Sequence, residues 1–366
     1  MNFVTIQSVT PHFKRVNGKT VWSFVRVRSA DGIVGWGEAS INGKEAEIGQ
    51  QARIQHERLS GTQADVAKGI APLTKDKVGW AVASAIDQAV WDILARLAGK
   101  PLRDLLGNSS RGDVELYANI NRGTLDRSPS GFAATAEVAV AAGFSAIKMA
   151  PFDDLTPAIA ASAEGAKLIH SGLDRIAAAY AAIAGRARLQ VDCHWRFTPQ
   201  TAAEALREAT RIGITWFECP LPETQANIPE IRRLRGIANE GGVQLAGMEE
   251  SSTLAAFLPW VEAYDVMMPD VKYAGGLAEV FRIADALQSH GVSMSLHNPT
   301  GSVCHATSLH VTAAMPEGLP LEMQFGETDL LYDLPRPKLP RPVAGRSRVP
   351  EGAGHGAELR VDDLTV

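Results

Sequence analysis

The chain has 366 residues, of which 45% are hydrophobic and 21% are charged, and its formal net charge is −5. This composition is that of an ordinary globular protein, so it excludes disordered, collagen-like and coiled-coil chains. The negative net charge argues against a protein that follows nucleic-acid phosphates. No apolar run reaches the roughly 18 residues that a membrane-spanning helix requires.

The amino terminus, MNFVTIQSVT, alternates like a strand and lacks the basic and apolar regions of a signal peptide. The three cysteines, Cys193, Cys219 and Cys304, are an odd number and form no CxxC pair. We therefore expect a reducing, cytoplasmic environment and a fold that needs no disulfide.

The first 70 residues predict strands and turns. Residues 22–28 alternate at period two, Asp31-Gly32 predicts a hairpin turn, and residues 33–38 form the partner strand. From residue 78 to 97 the apolar spacing becomes helical, and Gly99-Lys100-Pro101 ends the helix. These patterns predict a small α+β unit over residues 1–110.

The pattern then changes to short apolar strands that alternate with Ala-rich helices. The predicted strands are 114–118, 146–149, 189–192, 216–218, 243–247, 266–268, 293–296 and 320–323. Predicted helices include 131–142, 201–211, 228–239, 277–290 and 304–314. Eight strands at intervals of roughly 25–40 residues favour a closed parallel barrel over residues 111–324. A doubly wound sheet is the alternative, although the chain has no GxGxxG or Walker A sequence.

Ionisable residues end almost every predicted barrel strand. They are Lys148, Asp192 with His194, Glu218, Glu249 with Glu250, Asp270, His297 and Glu322. The active site of such a barrel lies at the carboxyl ends of its strands. Asp192, Glu218 and Glu249 are separated by 26 and 31 residues, about one βα unit each. Three neighbouring carboxylates repel one another unless a cation neutralises them, and all-oxygen ligation suits Mg²⁺.

Three runs carry a resemblance to a known family: VDCHW at 191–195, WFECPLP at 216–222 and LAGMEES at 245–251. They resemble the enolase superfamily and, more narrowly, its mandelate racemase branch. Residues 85–107 and 349–364 are similar to that family's helical lead-in and closing segment. The resemblance implies a modified (β/α)7β TIM-like barrel beneath an α+β capping domain, which the amino-terminal region and residues 325–366 build together.

The resemblance also implies a metal and a reaction. Mg²⁺ would be held by Asp192, Glu218 and Glu249, with Glu250 as the weaker candidate for the third ligand. The reaction common to the family removes a proton α to a carboxylate, and a divalent cation stabilises the enediolate so that a Lys or His can act as base. His297 follows Asp270 by 27 residues, and an Asp that binds one ring nitrogen fixes the tautomer of the base.

The second barrel strand departs from the racemase pattern, which has Lys-x-Lys where this chain has Lys148-Met149-Ala150. Racemisation needs acid and base groups on both faces of the α-carbon, so the missing lysine argues against it. We expect Lys148 to bind the substrate carboxylate or polarise the enediolate. Glu322 is expected to face that carboxylate and, if protonated, to donate to the enediolate. Glu327 is the competing candidate for this role.

His194 supplies a replacement for the missing lysine. It lies two residues beyond Asp192, and strand alternation would direct both side chains to the same side. Asp-x-His resembles the galactonate- and mannonate-type sugar acid dehydratases, in which this histidine protonates a leaving hydroxide; His297-Asn298-Pro299 resembles them too. Arg196 is expected to bind either a substrate oxygen or a surface carboxylate.

Other histidines and the cysteines near the predicted metal ligands are not assigned to the reaction. His305 and His310 are expected to be ordinary helix residues, and Cys193 and Cys219 to pack behind the barrel wall. His12, Phe13 and Lys14 lie where the family has a mobile specificity loop, so they are candidates for substrate contact.

The leading hypothesis is therefore an Mg²⁺-dependent dehydratase of a sugar acid. An epimerase, racemase or cycloisomerase of the same superfamily is one alternative, and a non-catalytic protein that binds sugar acids is another. We expect a small-molecule carboxylate as partner and a homo-oligomer, with neither nucleic acid nor membrane involved.

Overall fold

The computed structural model describes residues 3–107, 111–315 and 319–364. The strands are β1 Phe3–Arg15, β2 Val21–Ser29, β3 Val34–Glu38, β4 Gln63–Asp65, β5 Asp113–Asn119, β6 Ala146–Met149, β7 Arg188–Asp192, β8 Trp216–Glu218, β9 Gln244–Gly247, β10 Val266–Met267, β11 Ser293–Met294, β12 Leu321–Gln324 and β13 Arg346–Arg348. The helices are α1 Glu45–Leu59, α2 Lys77–Ala98, α3 Arg103–Leu106, α4 Pro129–Ala141, α5 Ala163–Ile183, α6 Pro199–Ile212, α7 Ile228–Glu240, α8 Leu254–Phe257, α9 Leu277–Ser289, α10 Ser302–Ala314 and α11 Leu330–Asp333. Short 3₁₀ helices cover Gln225–Asn227, Leu258–Trp260 and Val361–Asp363.

The amino-terminal unit is an antiparallel sheet in the order β3-β2-β1-β4, covered by α2. The hairpin predicted at Asp31-Gly32 joins β2 and β3, and Gly32 adopts φ +84°, which glycine tolerates without strain. Two glycines of β3 let the sheet approach α2 closely. A Cβ added at Gly37 would lie 1.8 Å from the carbonyl oxygen of Ala85 in α2.

Replacing Gly37 by alanine is expected to destabilise the protein by at least ~1–3 kcal/mol, because the added methyl group collides with helix backbone rather than with a movable side chain. Gly18 provides the matched control, since a Cβ there would have no atom within 4 Å. Gly18→Ala should change the unfolding free energy by no more than about 0.5 kcal/mol. Urea unfolding of both variants measures the difference, and equal values would contradict the tight β3–α2 contact.

The prediction of strands and turns throughout the first 70 residues was wrong for α1. This helix buries Ile48, Gly49, Ala52 and Gln55 and leaves most of its other side chains exposed or half-buried. Its apolar stripe is therefore too narrow to stand out from a polar loop by periodicity alone. Glu45 and Glu47 in its first turn suit the positive end of the helix dipole, and His56 and Arg58 in its last turn suit the negative end.

The larger unit is a modified (β/α)7β barrel, in which parallel pairing runs β11-β10-β9-β8-β7-β6-β5-β12 and a helix connects each strand to the next. The first strand thus pairs with the last, as a closed barrel requires and a doubly wound sheet does not. In the described residues, the seam between β11 and β12 is bridged by side chains rather than a backbone ladder. Ser295 Oγ donates to the Pro320 carbonyl (3.0 Å), and Asn298 Nδ2 donates to the Glu322 carbonyl (2.8 Å).

The carboxyl-terminal segment returns to the amino-terminal unit. Lys14 Nζ donates to the carbonyl of Asp363 at 2.7 Å, and the amide of Leu102 donates to the carbonyl of Gly354 at 2.9 Å. The domain boundaries expected from the sequence stay predictions. The first lies between residues 110 and 111, and residues 108–110 are outside the described residues. Over the described residues, no helix has the length and apolar character needed to cross a membrane.

Candidate active site and metal centre

A cavity of about 310 Å³ opens at the carboxyl ends of the barrel strands, where the amino-terminal unit covers them. The barrel contributes Asn119, Asp192, His194, Glu249, Lys272 and His297 to its lining. The amino-terminal unit contributes Thr20, Trp22, Ser40, Ile41, Asn42 and Lys77. The cavity therefore joins elements that are far apart in the sequence.

Three carboxylates meet beside this cavity. Asp192 and Glu218 end the paired strands β7 and β8, and Glu249 follows β9 by two residues. One oxygen from each lies within 4.8 Å of the others, and all three side chains are buried. Burial and the neighbouring carboxylates raise the pKa of Glu249 well above its usual value. Glu249 Oε2 is buried without a hydrogen-bond partner. An all-oxygen donor set with an unpartnered carboxylate oxygen fits a hard divalent cation.

The turn after β9 is held by a carboxylate that the sequence analysis missed. Met248 has φ +72°, an uncommon conformation for a residue with a side chain. Its amide donates to Glu223 Oε1 at 2.6 Å, and Tyr264 OH donates to the same oxygen at 2.9 Å. Burial raises the pKa of Glu223 to about 7. Glu223 follows Pro220-Leu221-Pro222 in a loop, and no spacing in the sequence distinguishes it from a surface glutamate.

His297 and Asp270 form the predicted pair. His297 Nδ1 lies 2.9 Å from Asp270 Oδ2, and its Nε2 lies 3.4 Å from Glu249 Oε2. Burial would raise the pKa of Asp270, but the Lys272 ammonium 3.3 Å away and the bond from His297 together lower it. An ionised carboxylate only accepts hydrogen bonds, so the His297 Nδ1–H donates and Nε2 is the nitrogen left for a proton.

His194 lies on the same side as Asp192, but strand alternation, from which we expected this, is not the cause. His194 Nε2 lies 2.7 Å from Asp192 Oδ2, and the His194 amide donates to Asp192 Oδ1 at 2.9 Å. Strand β7 already ends at Asp192, and His194 and Trp195 have φ +48° and +56°. A left-handed turn, not strand alternation, therefore directs His194 into the cavity. The attraction of Asp192 raises the pKa of His194.

Lys148 and Glu322 are fully buried next to the carboxylates and outside the set of cavity-lining residues. Lys148 Nζ lies 2.7 Å from Glu218 Oε1 and 3.0 Å from Glu322 Oε1. Burial would lower the pKa of Lys148, but these two carboxylates outweigh it and raise the pKa well above its usual value. Burial likewise opposes ionisation of Glu322, but Lys148 lowers its pKa. A lowered pKa favours the ionised form, so donation by Glu322, which the sequence analysis made conditional on its protonation, stays a prediction.

The competing candidates occupy other positions. Glu250 lies at the rim and forms an ion pair with Lys77, while Glu327 accepts from Thr20 Oγ1 at 2.7 Å and pairs with Arg122 at 3.2 Å. The Arg196 guanidinium donates to the backbone carbonyl of Phe152.

The expectation of a mobile loop at His12, Phe13 and Lys14 was wrong. All three belong to β1 and pair with residues 22–24 of β2. The antiparallel pairing of β1 with β2 continues as far as Arg15, opposite Val21. Thr20 and residues 40–42 form the cavity wall on that side instead. As expected, His305 and His310 are buried in α10, and Cys193 and Cys219 are buried thiols.

Comparison with known protein families agrees with this geometry. Residues 131–364 match the family described as enolase C-terminal domain-like. Residues 8–107 match the mandelate racemase/muconate lactonizing enzyme N-terminal domain. The chain belongs to the enolase superfamily. Members of this superfamily bind a divalent metal, and the buried carboxylates of Asp192, Glu218 and Glu249 fit one.

Relatives of this enolase-superfamily chain include a D-galactonate dehydratase from Verminephrobacter eiseniae, 26% identical over 79% of this chain and 75% of the relative. A D-xylonate dehydratase from Haloferax volcanii is 26% identical over 95% of this chain and 85% of the relative. Among solved structures, a mandelate racemase/muconate lactonizing enzyme from Jannaschia sp. CCS1 superposes with a TM-score of 0.85. It is 20% identical and covers 99% of this chain and 98% of its own, so this likeness concerns the fold.

Proposed function

We propose that this enolase-superfamily member is an Mg²⁺-dependent dehydratase of a sugar acid. The observation that carries the proposal is a pair of histidines in one cavity, each beside a different carboxylate of the candidate metal site. His297 lies 3.4 Å from Glu249, and His194 lies 2.7 Å from Asp192. Elimination of water from a 2,3-dihydroxy acid needs a base at C2 and an acid at C3, and two such groups provide them.

His297 is the proposed base. The bond from its Nδ1–H to Asp270 fixes the tautomer, so Nε2 presents a lone pair to the C2 proton. When Nε2 takes that proton, the ionised Asp270 stabilises the imidazolium that forms.

His194 is the proposed acid. It gives a proton to the hydroxyl oxygen at C3 as the C3–O bond breaks, so that the group leaves as water. The electron pair released at C2 forms the new double bond, and the resulting enol becomes a 2-keto-3-deoxy acid.

Mg²⁺ would be held by Asp192, Glu218 and Glu249, and when bound it supplies positive charge that stabilises the substrate carboxylate as the C2 proton leaves. Lys148 lowers the pKa of Glu322 and opposes the rise that burial causes in the pKa of Glu218. It is the proposed donor to the same carboxylate. Glu322 in turn positions Lys148, and Asn119 Nδ2 fixes Glu322 by donating to its Oε1 at 2.6 Å.

The alternatives are less well supported. Epimerisation needs a second base on the opposite face of C2, and Ala150, directly after β6, occupies the place of the second lysine. A non-catalytic binding protein has no need for the Asp270–His297 pair or for His194. The names of the two curated relatives, which act on galactonate and xylonate, support a sugar acid as substrate.

A substrate screen tests the reaction. The purified protein with Mg²⁺ is incubated with a library of acid sugars that includes D-galactonate, D-gluconate and D-xylonate, and 2-keto-3-deoxy products are measured. Proton NMR in D₂O is recorded in parallel. Keto-deoxy product supports dehydration, whereas C2 exchange or inversion without that product would favour an epimerase.

Metal binding is tested separately. EDTA is expected to abolish turnover, Mg²⁺ to restore it, and Glu249→Gln to weaken Mg²⁺ binding in calorimetry by at least about 10-fold, because one charged ligand is lost. Glu250→Gln is the matched control, since this neighbour lies at the rim and pairs with Lys77. It should retain Mg²⁺ affinity within a few-fold. Full activity in a rigorously metal-free preparation would contradict the proposal.

A further inference from the structure

Lys272 is a buried lysine on the cavity wall to which the proposed reaction assigns no role. Its side chain is 3% exposed, yet the residue lines the cavity. Its Nζ lies 3.3 Å from Asp270 Oδ2 and 5.1 Å from the centre of the Tyr273 ring. An ammonium group has three N–H donors, and these two neighbours engage at most two of them. At least one donor therefore remains for a group in the cavity.

The charge of Lys272 is maintained by its surroundings. Burial would lower the pKa of this lysine, but Asp270 in particular raises it. A buried ammonium is costly unless it is paired and hydrogen-bonded, so a ligand oxygen that completes its coordination would be strongly favoured.

Two hydroxyl groups that line the same cavity have their protons committed elsewhere. Thr300 Oγ1 donates to Glu38 Oε1 at 2.8 Å, and Ser40 Oγ donates to the same oxygen at 2.7 Å. Glu38 is fully buried and also accepts from the amide of Gly301 at 2.7 Å. Because both O–H groups donate to Glu38, the two oxygens can act only as acceptors toward other groups. Ser40 Oγ already accepts from the Ser23 amide at 3.0 Å, so Thr300 Oγ1 is the better acceptor for a ligand.

A cationic donor and oriented acceptors in one small cavity match a hydroxyl group, which both accepts and donates. We propose that Lys272 and Thr300 form a subsite that binds a hydroxyl group of the substrate beyond C3. This inference rests on the proposed function, in which the metal ligands face the carboxylate and His194 faces the C3 hydroxyl. The subsite lies on the side covered by Ser40 and Glu38 of the amino-terminal unit, so it contacts the remaining polyol chain and discriminates among sugar acids.

The test measures binding, so that it does not depend on turnover. The dissociation constants of D-galactonate, D-gluconate and D-xylonate are measured by calorimetry with Mg²⁺, in a His297→Asn background that does not consume the ligand. The 4-deoxy and 5-deoxy derivatives of the tightest ligand are then measured in the same way. Lys272→Met is expected to weaken the parent acid roughly 10- to 100-fold, the loss typical of a charged hydrogen bond.

A double cycle separates a contact from a structural effect. For the derivative that lacks the bound hydroxyl, the dissociation constants with and without Lys272→Met should agree within about twofold. For the other derivative, Lys272→Met should weaken binding as much as it does for the parent acid. Thr300→Val should change the dissociation constants in the same pattern but by a smaller factor. Thr300→Ser, which keeps the hydroxyl, should bind each derivative as tightly as the protein with threonine at this position. An equal loss for every derivative would show that Lys272 acts only through Asp270, and would overturn the proposal.

Other outcomes are also decisive. If Lys272→Met does not fold, as judged by circular dichroism, the Thr300→Val and Thr300→Ser pair decides by the same cycle. Sugar acids that bind but are not dehydrated by the unmodified protein would contradict the proposed function and leave the cycle valid. If no sugar acid binds in the presence of Mg²⁺, the subsite proposal fails.

Discussion

Replacing His297 by asparagine is expected to reduce both C2 proton exchange and dehydration by roughly 10²–10⁴-fold, the usual contribution of a positioned general base. The two activities should fall together, because removal of the C2 proton precedes elimination. Asparagine preserves much of the volume of the side chain but has no nitrogen that takes a proton at neutral pH. Proton NMR of a sugar acid in D₂O measures both activities in one sample.

The same experiment distinguishes the base from the residue that orients it. Asp270→Asn should lower both activities by a smaller factor, because Nδ1 then donates to a neutral amide oxygen and the imidazolium loses its counter-ion. His170→Asn is the control, since this histidine lies on the surface of α5 with a side chain 79% exposed. Exchange at the unmodified rate in His297→Asn would show that the base lies elsewhere.

The strand ends of the barrel could be predicted because a βα unit has a nearly constant length. Asp192, Glu218 and Glu249 recur at intervals that place them on neighbouring strands, and the structure brings their oxygens within 4.8 Å. The eight predicted barrel strands are all present, with ends that differ by at most two residues. This part of the site depends on local periodicity and on the order of the strands alone.

The rest of the site depends on contacts between distant segments. Glu38 and Thr300 are 262 residues apart, and no spacing in the sequence indicates that a strand of the amino-terminal unit reaches the loop before α10. The sequence alone does not distinguish Lys272, two residues after Asp270, from a surface lysine, because its burial depends on distant segments. The left-handed turn at His194 is likewise invisible to pattern analysis. Histidine is tolerated in that conformation but does not by itself indicate it, and Trp195 is not a residue that such a turn favours.

The position of His194 leads to the second large expected effect, a separation of exchange from elimination. In His194→Asn the metal ligands, Lys148 and the His297–Asp270 pair all remain, so His297 can still remove the C2 proton and return it. In D₂O the substrate should acquire deuterium at C2 while keto-deoxy product forms about 10²–10⁴-fold more slowly, the usual contribution of a general acid. Racemisation-type chemistry would need a second base, which Ala150 does not supply.

The His194→Asn experiment needs a control for metal binding, because His194 Nε2 lies 2.7 Å from Oδ2 of the proposed ligand Asp192. Mg²⁺ affinity is therefore measured for the variant, and the comparison is made at saturating Mg²⁺. A metal defect would lower exchange and elimination together, since both need the substrate carboxylate to be stabilised, whereas loss of the acid lowers elimination alone. Dehydration at the unmodified rate would exclude His194 as the acid, and the dehydratase proposal would then lose the residue that distinguishes it from an epimerase.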